Sequence, residues 1–197
     1  MIAIIDYKAG NLMSVSNALL RIGADFQVTW KREVLDRADA VIFPGVGHAE
    51  SAMQALEERD LVSWLQHTTK PVLGICLGMQ LLYESSAEGD TRGLGVLPGR
   101  LERFDESRGK VPHLGWNAFS ELRDHPLLDG LRAEQQMYYV HSYYAPVTGD
   151  TVASCDYQLP FTAVAARGNF MGAQFHPEKS GENGEVLLRN FLKMVRG

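Results

Sequence analysis

The sequence predicts an α/β protein with a mainly parallel central sheet flanked by helices and antiparallel strands added in the C-terminal half. Three observations carry this expectation. In the first half, short apolar runs alternate with segments whose apolar residues recur at helical spacing. In the second half, short β-rich pieces follow one another. The chain of 197 residues is 45% hydrophobic, enough to bury a core, so one domain spanning 1–197 is expected.

Taken in order, "IAIID" (2–6) is an apolar run and reads as a buried strand. Over 11–22, Leu12, Val15, Leu19 and Ile22 share one helical face. "FQVTW" (26–30) and "DAVIFPG" (39–45) read as strands, and 49–67 as helix broken near Asp60. "PVLGI" (71–75) is the next strand. Leu77, Leu81 and Leu82 then recur at helical spacing, which predicts a helix over 77–86. The glycine-rich stretch 89–99 reads as a surface connection. The run "GRLERFDESRGK" (99–110) reads as a solvated loop or strand face, because Glu102, Asp105 and Glu106 interrupt its basic residues. "GWNAFSEL", "QMYYVHSYYA", "TVASCDY", "FTAVAARG" and "FMGAQF" are expected as antiparallel strands. A last helix over 183–195 turns Leu187, Leu188, Phe191, Leu192 and Val195 to the core.

Composition narrows the function classes. A net charge of -5 gives no reason to expect nucleic acid. No apolar run approaches the roughly 20 residues that span a bilayer. The start "MIAIIDYKAG" lacks the basic region and long apolar stretch of a signal peptide. Two cysteines make no disulfide framework, and a reducing cytoplasm is expected, where a thiol stays free for chemistry.

Gly74-Ile75-Cys76-Leu77-Gly78 stands at the strand-to-helix corner and has the form of a nucleophile elbow. The glycines permit a sharp turn. A helix N-terminus favours thiolate over thiol. The alternative is a buried cysteine acting as a small hydrophobe, and from this motif alone the two readings stand level. Cys155 lies in a plain strand pattern and reads as structural.

A thiolate nucleophile needs a base, and six histidines compete. His67 and His125 lie in polar surroundings and read as surface residues. His48 is ambiguous, and His113 and His141 read equally as core histidines. His176 stands out in "GAQFHPEKS". In an extended segment Glu178 shares its side, so the carboxylate can fix one ring nitrogen and leave the other to the thiol. In "FPGVGHAES" (43–51), Gly45 and Gly47 invite a dinucleotide fingerprint, but position 50 is Glu50 and the third glycine is missing. A loop whose N–H groups, with that of Leu77, meet an oxyanion is the better reading.

Together, "PGVG", "GICLGMQ" and "HPE", in this order and at these separations, resemble the class I (triad) glutamine amidotransferases over essentially the whole chain. "IIDYKAGNLMSV", "VPHLGWN" and "YYVHSYY" resemble in particular the glutaminase subunits of histidine biosynthesis. The resemblance implies that Cys76 attacks the side-chain amide of L-glutamine, His176 moves the proton and Glu178 orients His176. It implies an oxyanion hole at Val46, Gly47 and Leu77, and glutamine contacts at Gly47, Gln80, Ser142 and Tyr143. It implies no cofactor and no metal. The implied partner is a (β/α)8-barrel cyclase subunit, forming a heterodimer. That subunit receives ammonia and forms imidazole glycerol phosphate and an aminoimidazole carboxamide ribotide. Asn11, Trp116 and Lys179 are assigned to the docking face, with a core role for Trp116 as the alternative. Three rivals remain: a glutaminase serving another synthase, a γ-glutamyl hydrolase acting without a partner, and a non-catalytic α/β binding domain.

Overall fold

The computed structural model describes residues 1–8 and 11–196. Ala9 and Gly10, inside the stretch "IIDYKAGNLMSV", and Gly197 lie outside the described residues.

The first half delivers the expected alternation. Strand β1 (Ile2–Ile5) leads to helix α1 (Leu12–Arg21), β2 (Phe26–Thr29), the single turn α2 (Arg32–Leu35) and β3 (Ala40–Gly45). Two helices follow, α3 (Ala49–Glu57) and α4 (Leu61–His67). Asp60 separates them in the left-handed region at φ 55°, so the predicted break falls on the predicted residue. Strand β4 (Val72–Cys76) runs straight into the one-turn helix α5 (Leu77–Gln80).

Here the structure departs from the expected helix over 77–86. The chain leaves α5 at Leu81 and becomes strand β5 (Tyr83–Ser86). The reason lies in the backbone bonds. The carbonyls of Leu81, Leu82 and Tyr83 accept from the N–H groups of 94–97 instead of continuing a helical ladder. Leu81 and Leu82 are buried, so their spacing marked core rather than helix. The stretch 89–99 is correspondingly more than a surface connection. It contains β6 (Thr91–Arg92) and opens β7 (Leu97–Arg103), with Leu94 and Leu97 buried.

The second half supplies β8 (His113–Ala118), β9 (Glu121–Leu122), β10 (Gln136–His141), β11 (Tyr143–Tyr144), β12 (Thr151–Tyr157), β13 (Leu159–Arg167) and β14 (Phe170–Ala173). Helix α6 (Gly181–Arg196) ends the described chain. The main sheet has eight strands in the order β2-β1-β3-β4-β14-β13-β12-β9. Strands β9, β12 and β13 extend it antiparallel, as expected. Strand β14 does not: it lies parallel to β4, with Gly172 opposite Gly74. It returns from β13 by a hairpin and so takes the direction of the parallel strands. Nor do all the later strands join this sheet. Strands β8 and β10 form their own antiparallel ribbon, and β11 pairs with β7 in a four-stranded sheet with β5 and β6.

The two faces of the sheet bury separate cores. Along β1, Ile2 and Ile4 face α1 and α6 residues such as Leu19 and Phe191, while Ala3 and Ile5 face Leu56 and Leu65. This two-residue period with both faces apolar is what a central parallel strand requires.

Candidate active site

Cys76 ends a fully buried strand between β3 and β14 and is itself only 6% exposed. Its backbone sits at φ 53° and ψ -111°. A side chain rarely adopts that region, and holding it there costs about 1–3 kcal/mol, supplied by the surrounding structure. The neighbouring glycines serve another purpose than turning. Neither takes a positive φ. A Cβ at Gly78 would lie 1.8 Å from the Phe43 carbonyl oxygen, and one at Gly74 would lie 2.7 Å from the Met79 nitrogen. They let α5 press against β3 and β4, while the cysteine carries the strained turn. Because α5 is a single turn, a full helix dipole is absent. Unpaired N–H groups of a first turn remain beside the sulfur.

His176 is 1% exposed, and its Nδ1 donates to Glu178 Oε1 at 2.8 Å. A carboxylate only accepts, so Nδ1 carries the proton and Nε2 is the free nitrogen. The two residues meet because Pro177–Lys179 forms a 3-10 turn rather than the extended segment expected from sequence. Several contacts fix this turn. Ser180 Oγ donates to the His176 carbonyl at 2.6 Å and accepts from the Tyr138 N–H at 3.0 Å. Helix α6 approaches so closely that a Cβ at Gly184 would lie 1.9 Å from the Pro177 oxygen.

Nε2 of His176 is buried with no hydrogen-bond partner among the described residues. Cys76 acts on the ring from beside it. Burial pulls the imidazole pKa down, yet Cys76 and Glu178 outweigh it and hold it at about 9. Asn11, just before α1, donates to the same Glu178 oxygen at 3.4 Å.

A cleft of about 270 Å³ opens over this corner, near the small end of ligand pockets at roughly 300 Å³. Val46, Gly47, Leu77, Gln80, Ser142 and Tyr143 line it together with Cys76 and His176, so every predicted oxyanion and substrate residue reaches one site. Gly47 takes φ 99°, open to glycine and strained for other residues. Gln80 commits both amide hydrogens internally, one to the Tyr143 carbonyl and one to Gln174 Oε1, each at 3.0 Å. Its own Oε1 is what it offers the cleft. A larger groove of about 930 Å³, between Trp30 and the α3–α4 junction, is lined by charged side chains and contains none of these residues.

The other histidines sort by environment. His141 Nδ1 donates to the Tyr143 carbonyl at 2.8 Å, so its Nε2 accepts, and the donor there is His113 Nδ1 at 3.1 Å. His113 Nε2 in turn accepts from the Asn117 amide at 3.3 Å. Both rings are buried, as the core reading required. Burial pushes His113 down to about 4. For His141, burial outweighs the Tyr143 carbonyl and, with His113 and His176 nearby, leaves it at about 3. His48 is exposed beside Glu88 at 3.2 Å, and His67 is exposed. His125 is half-buried and accepts the Leu127 N–H at 3.2 Å, so it is not the simple surface residue expected. Burial drives the Cys155 thiol up to about 12, consistent with a structural cysteine.

Sequence reasoning missed three residues around the site. Glu88 lines the cleft with its carboxylate held by the Ala49 N–H at 2.8 Å. Gln174 donates from Nε2 to Cys76 Sγ at 3.8 Å. Tyr7 is buried, its hydroxyl has no hydrogen-bond partner among the described residues, and it lies close to where a Cβ on Gly45 would stand. Glu88 sits in a polar turn outside any motif, while Gln174 and Tyr7 fall inside "GAQFHPEKS" and "IIDYKAGNLMSV", stretches in which other residues drew the functional reading.

The three residues assigned to a docking face lie near the Pro177–Lys179 turn. Trp116 is 53% exposed, which removes the core alternative. It meets Tyr138 edge-on at 5.8 Å, and Lys179 Nζ lies 5.9 Å from the same tyrosine ring. Asn11 touches Glu178, the residue before Lys179.

A parallel sheet that ends a central strand on a strained cysteine, with a histidine–carboxylate pair delivered from a later strand, fits one class of enzyme. A family model described as glutamine amidotransferase class-I matches residues 3–195, and the chain belongs to that family of glutamine-hydrolysing enzymes. Within it, the chain is similar along its whole length to imidazole glycerol phosphate synthase subunit HisH. It is 50% identical to that protein of Bacillus cereus strain B4264, over 99% of this chain and 95% of the relative. The Bacteroides fragilis protein (strain ATCC 25285) is 47% identical, over 98% and 99%. The Xanthomonas campestris protein (strain 8004) is 48% identical, over 98% and 97%. Among solved structures, a glutamine amidotransferase superposes with a TM-score of 0.77 at 20% identity, covering 100% of both chains. The structure of PurLQS from Thermotoga maritima gives 0.71 at 17%, covering 98% of both chains. These structures establish the shared fold.

Proposed function

We propose that this chain is the glutaminase subunit of an imidazole glycerol phosphate synthase of histidine biosynthesis, a single domain over 1–197 working in the cytoplasm. It hydrolyses L-glutamine and passes ammonia to a (β/α)8-barrel cyclase subunit. The observation that carries the chemistry is the buried His176–Glu178 pair beside a strained Cys76 in an amino-acid-sized cleft. The names of the relatives carry the choice of synthase.

The steps follow from the geometry. With its pKa held at about 9, His176 keeps the proton of Cys76 on Nε2 at neutral pH. The sulfur therefore attacks the side-chain amide carbon as a thiolate, and the imidazolium holds its proton until ammonia leaves. The oxyanion of the tetrahedral intermediate is met by backbone N–H groups of Leu77 and the Val46–Gly47 loop. The C–N bond breaks, His176 returns its proton to the departing ammonia, and water then cleaves the γ-glutamyl thioester to glutamate. Glu178 keeps Nδ1 protonated and Nε2 toward the sulfur. Glu88 suits the α-ammonium of glutamine, with the Gln80 oxygen and Ser142–Tyr143 beside it. Asn11, Trp116 and Lys179 form the docking face, and the Asn11–Glu178 contact joins that face to the triad.

The test is reconstitution with a candidate barrel cyclase, measuring glutamate release and cyclase product. Cys76→Ala should abolish glutamine-driven synthesis and leave ammonia-driven synthesis intact. Parental glutamine hydrolysis by Cys76→Ala would sink the thioester mechanism. Cleavage of γ-glutamyl peptides with no gain from any barrel would favour a γ-glutamyl hydrolase instead.

A further inference from the structure

Gln174 is wholly buried just beyond the end of β14, two residues before His176. An amide removed from water needs an acceptor for its hydrogens and a donor for its oxygen. Gln174 finds both in the site: Oε1 accepts from Gln80 Nε2 at 3.0 Å, and Nε2 approaches Cys76 Sγ at 3.8 Å. Sulfur is larger than oxygen, and it still accepts a weak hydrogen bond at this distance. The thiol is free to donate in its turn to the Val140 carbonyl, also at 3.8 Å.

Chemistry fixes the orientation of both amides. The Tyr143 carbonyl can only accept, so the Gln80 nitrogen must face it. The second hydrogen of that nitrogen points at Gln174, which must answer with oxygen. The Gln174 nitrogen is left on the sulfur side. Turning Gln174 over would set one amide nitrogen against another and a carbonyl oxygen against the sulfur. The anchor is firm as well, because His141 Nδ1 holds the same Tyr143 carbonyl and His113 fixes the tautomer of His141.

We propose that Gln174 is a catalytic residue of glutamine hydrolysis, whose amide N–H stabilises the Cys76 sulfur as it becomes the attacking thiolate, with Gln80 as the positioning residue that keeps that amide from turning over. This inference rests on Cys76 being the nucleophile. Gln174 favours the ionised sulfur and lies outside the residues that line the cleft. Its loss should therefore lower kcat and leave the KM for glutamine within about twofold. A hydrogen bond to a charged group contributes about 1.5–3 kcal/mol. For a long bond to sulfur the lower figure applies, which is about tenfold in rate.

The experiment uses the full chain and its Gln174→Met variant, which keeps the length and loses the donor. Two quantities are read at pH 7. One is the rate of iodoacetamide alkylation at Cys76, resolved from Cys155 by peptide mass spectrometry; the other is kcat with KM for glutamate release. Both rates should fall about tenfold. Unchanged rates in a folded Gln174→Met variant would overturn the proposal. Should that variant not fold, the parental chain decides by nitrogen-15 NMR. One side-chain amide hydrogen of Gln174 should shift when Cys76 is alkylated, and an unmoved signal overturns the proposal too. Cys76→Ala runs beside these samples. If it keeps its turnover, the nucleophile assignment falls; if it loses turnover while Gln174→Met does not, only the role of Gln174 falls.

Discussion

Acidifying the protein from pH 7 to pH 5 should destabilise it by about 3 kcal/mol, mainly through two histidines that take no direct part in the proposed chemistry. His113 and His141 are depressed to about 4 and about 3, so both stay neutral in the folded chain down to pH 5. In the unfolded chain each returns to about 6.5 and takes up a proton over this range. The unfolded state therefore binds more protons, and stability must fall as pH falls. Each ring contributes about 2 kcal/mol between pH 7 and 5, together about 4. His176 acts the other way. Its folded pKa of about 9 lies above the unfolded value, so its contribution is fully present below 6.5 and is lost as pH rises through 9. Over the same interval it returns about 1 kcal/mol. Urea unfolding at pH 7, 6 and 5 reads the sum directly. A companion variant isolates the pair. His113→Phe keeps a ring between Tyr139 and Tyr157, which stack on it at 4.9 and 4.2 Å. It strands His141 Nε2, at a cost of about 1–3 kcal/mol at pH 7, and should remove about half of the histidine-dependent acid loss. A stability curve that is flat between pH 7 and 5 would refute the neutral, directed chain from Asn117 to Tyr143.

Three further outcomes follow from contacts in the site. Gly78→Ala forces a Cβ to within 1.8 Å of the Phe43 carbonyl oxygen; a loss at the upper end of overpacking, about 3 kcal/mol, should lower Tm by about 6–12 °C, and an unchanged Tm would contradict the close packing of α5 on β3. His176→Asn should cut glutamine turnover by about 10²–10⁴-fold. Glu178→Gln should cost less, because the new amide oxygen still accepts from Nδ1 while the charge that raises the imidazole is gone. Equal losses in the kinetic assay would show that the carboxylate does more than orient and charge the ring.

The parts of this molecule legible in the sequence are those where local pattern and tertiary need agree. Ile2–Ile5 and Val72–Cys76 are apolar without interruption and are buried on both faces. The Cys76 and His176 motifs are readable because unusual residues crowd them: a cysteine between glycines, and a histidine followed by proline. Where pattern and packing diverge, reading failed. Leu77, Leu81 and Leu82 have helical spacing, yet the chain turns away after one helical turn because residues 94–97 compete for its carbonyls. The rule of alternate sides brought Glu178 to His176 for the wrong reason, since a 3-10 turn makes the contact. The glycines of the elbow were credited with the turn, while the positive φ belongs to Cys76. Gln174 and Glu88 were invisible because their roles depend on partners from distant strands and loops, at separations no local pattern encodes.

The choice of base shows how environment completes what residue type leaves open. His141 and His176 both line the cleft over Cys76, although the sequence singles out His176 and reads His141 as a core histidine. Their partners separate them. His176 faces a carboxylate through Nδ1, which supports positive charge, and its Nε2 is free. His141 faces a neutral carbonyl through Nδ1, and its Nε2 already accepts a proton-bearing nitrogen from His113. A ring whose only lone pair is engaged, and whose pKa has fallen to about 3, cannot take a thiol proton at neutral pH. Swapping roles would require breaking the bond to His113 and charging His141, on which no carboxylate acts among the described residues. Both Nδ1 partners favour the charged ring, but burial prevails at His141, whereas Cys76 and Glu178 together outweigh it at His176. That divergence is the physical ground for assigning proton transfer to His176, and for assigning to His141 the steady hold on the carbonyl that sets Gln80 and Gln174.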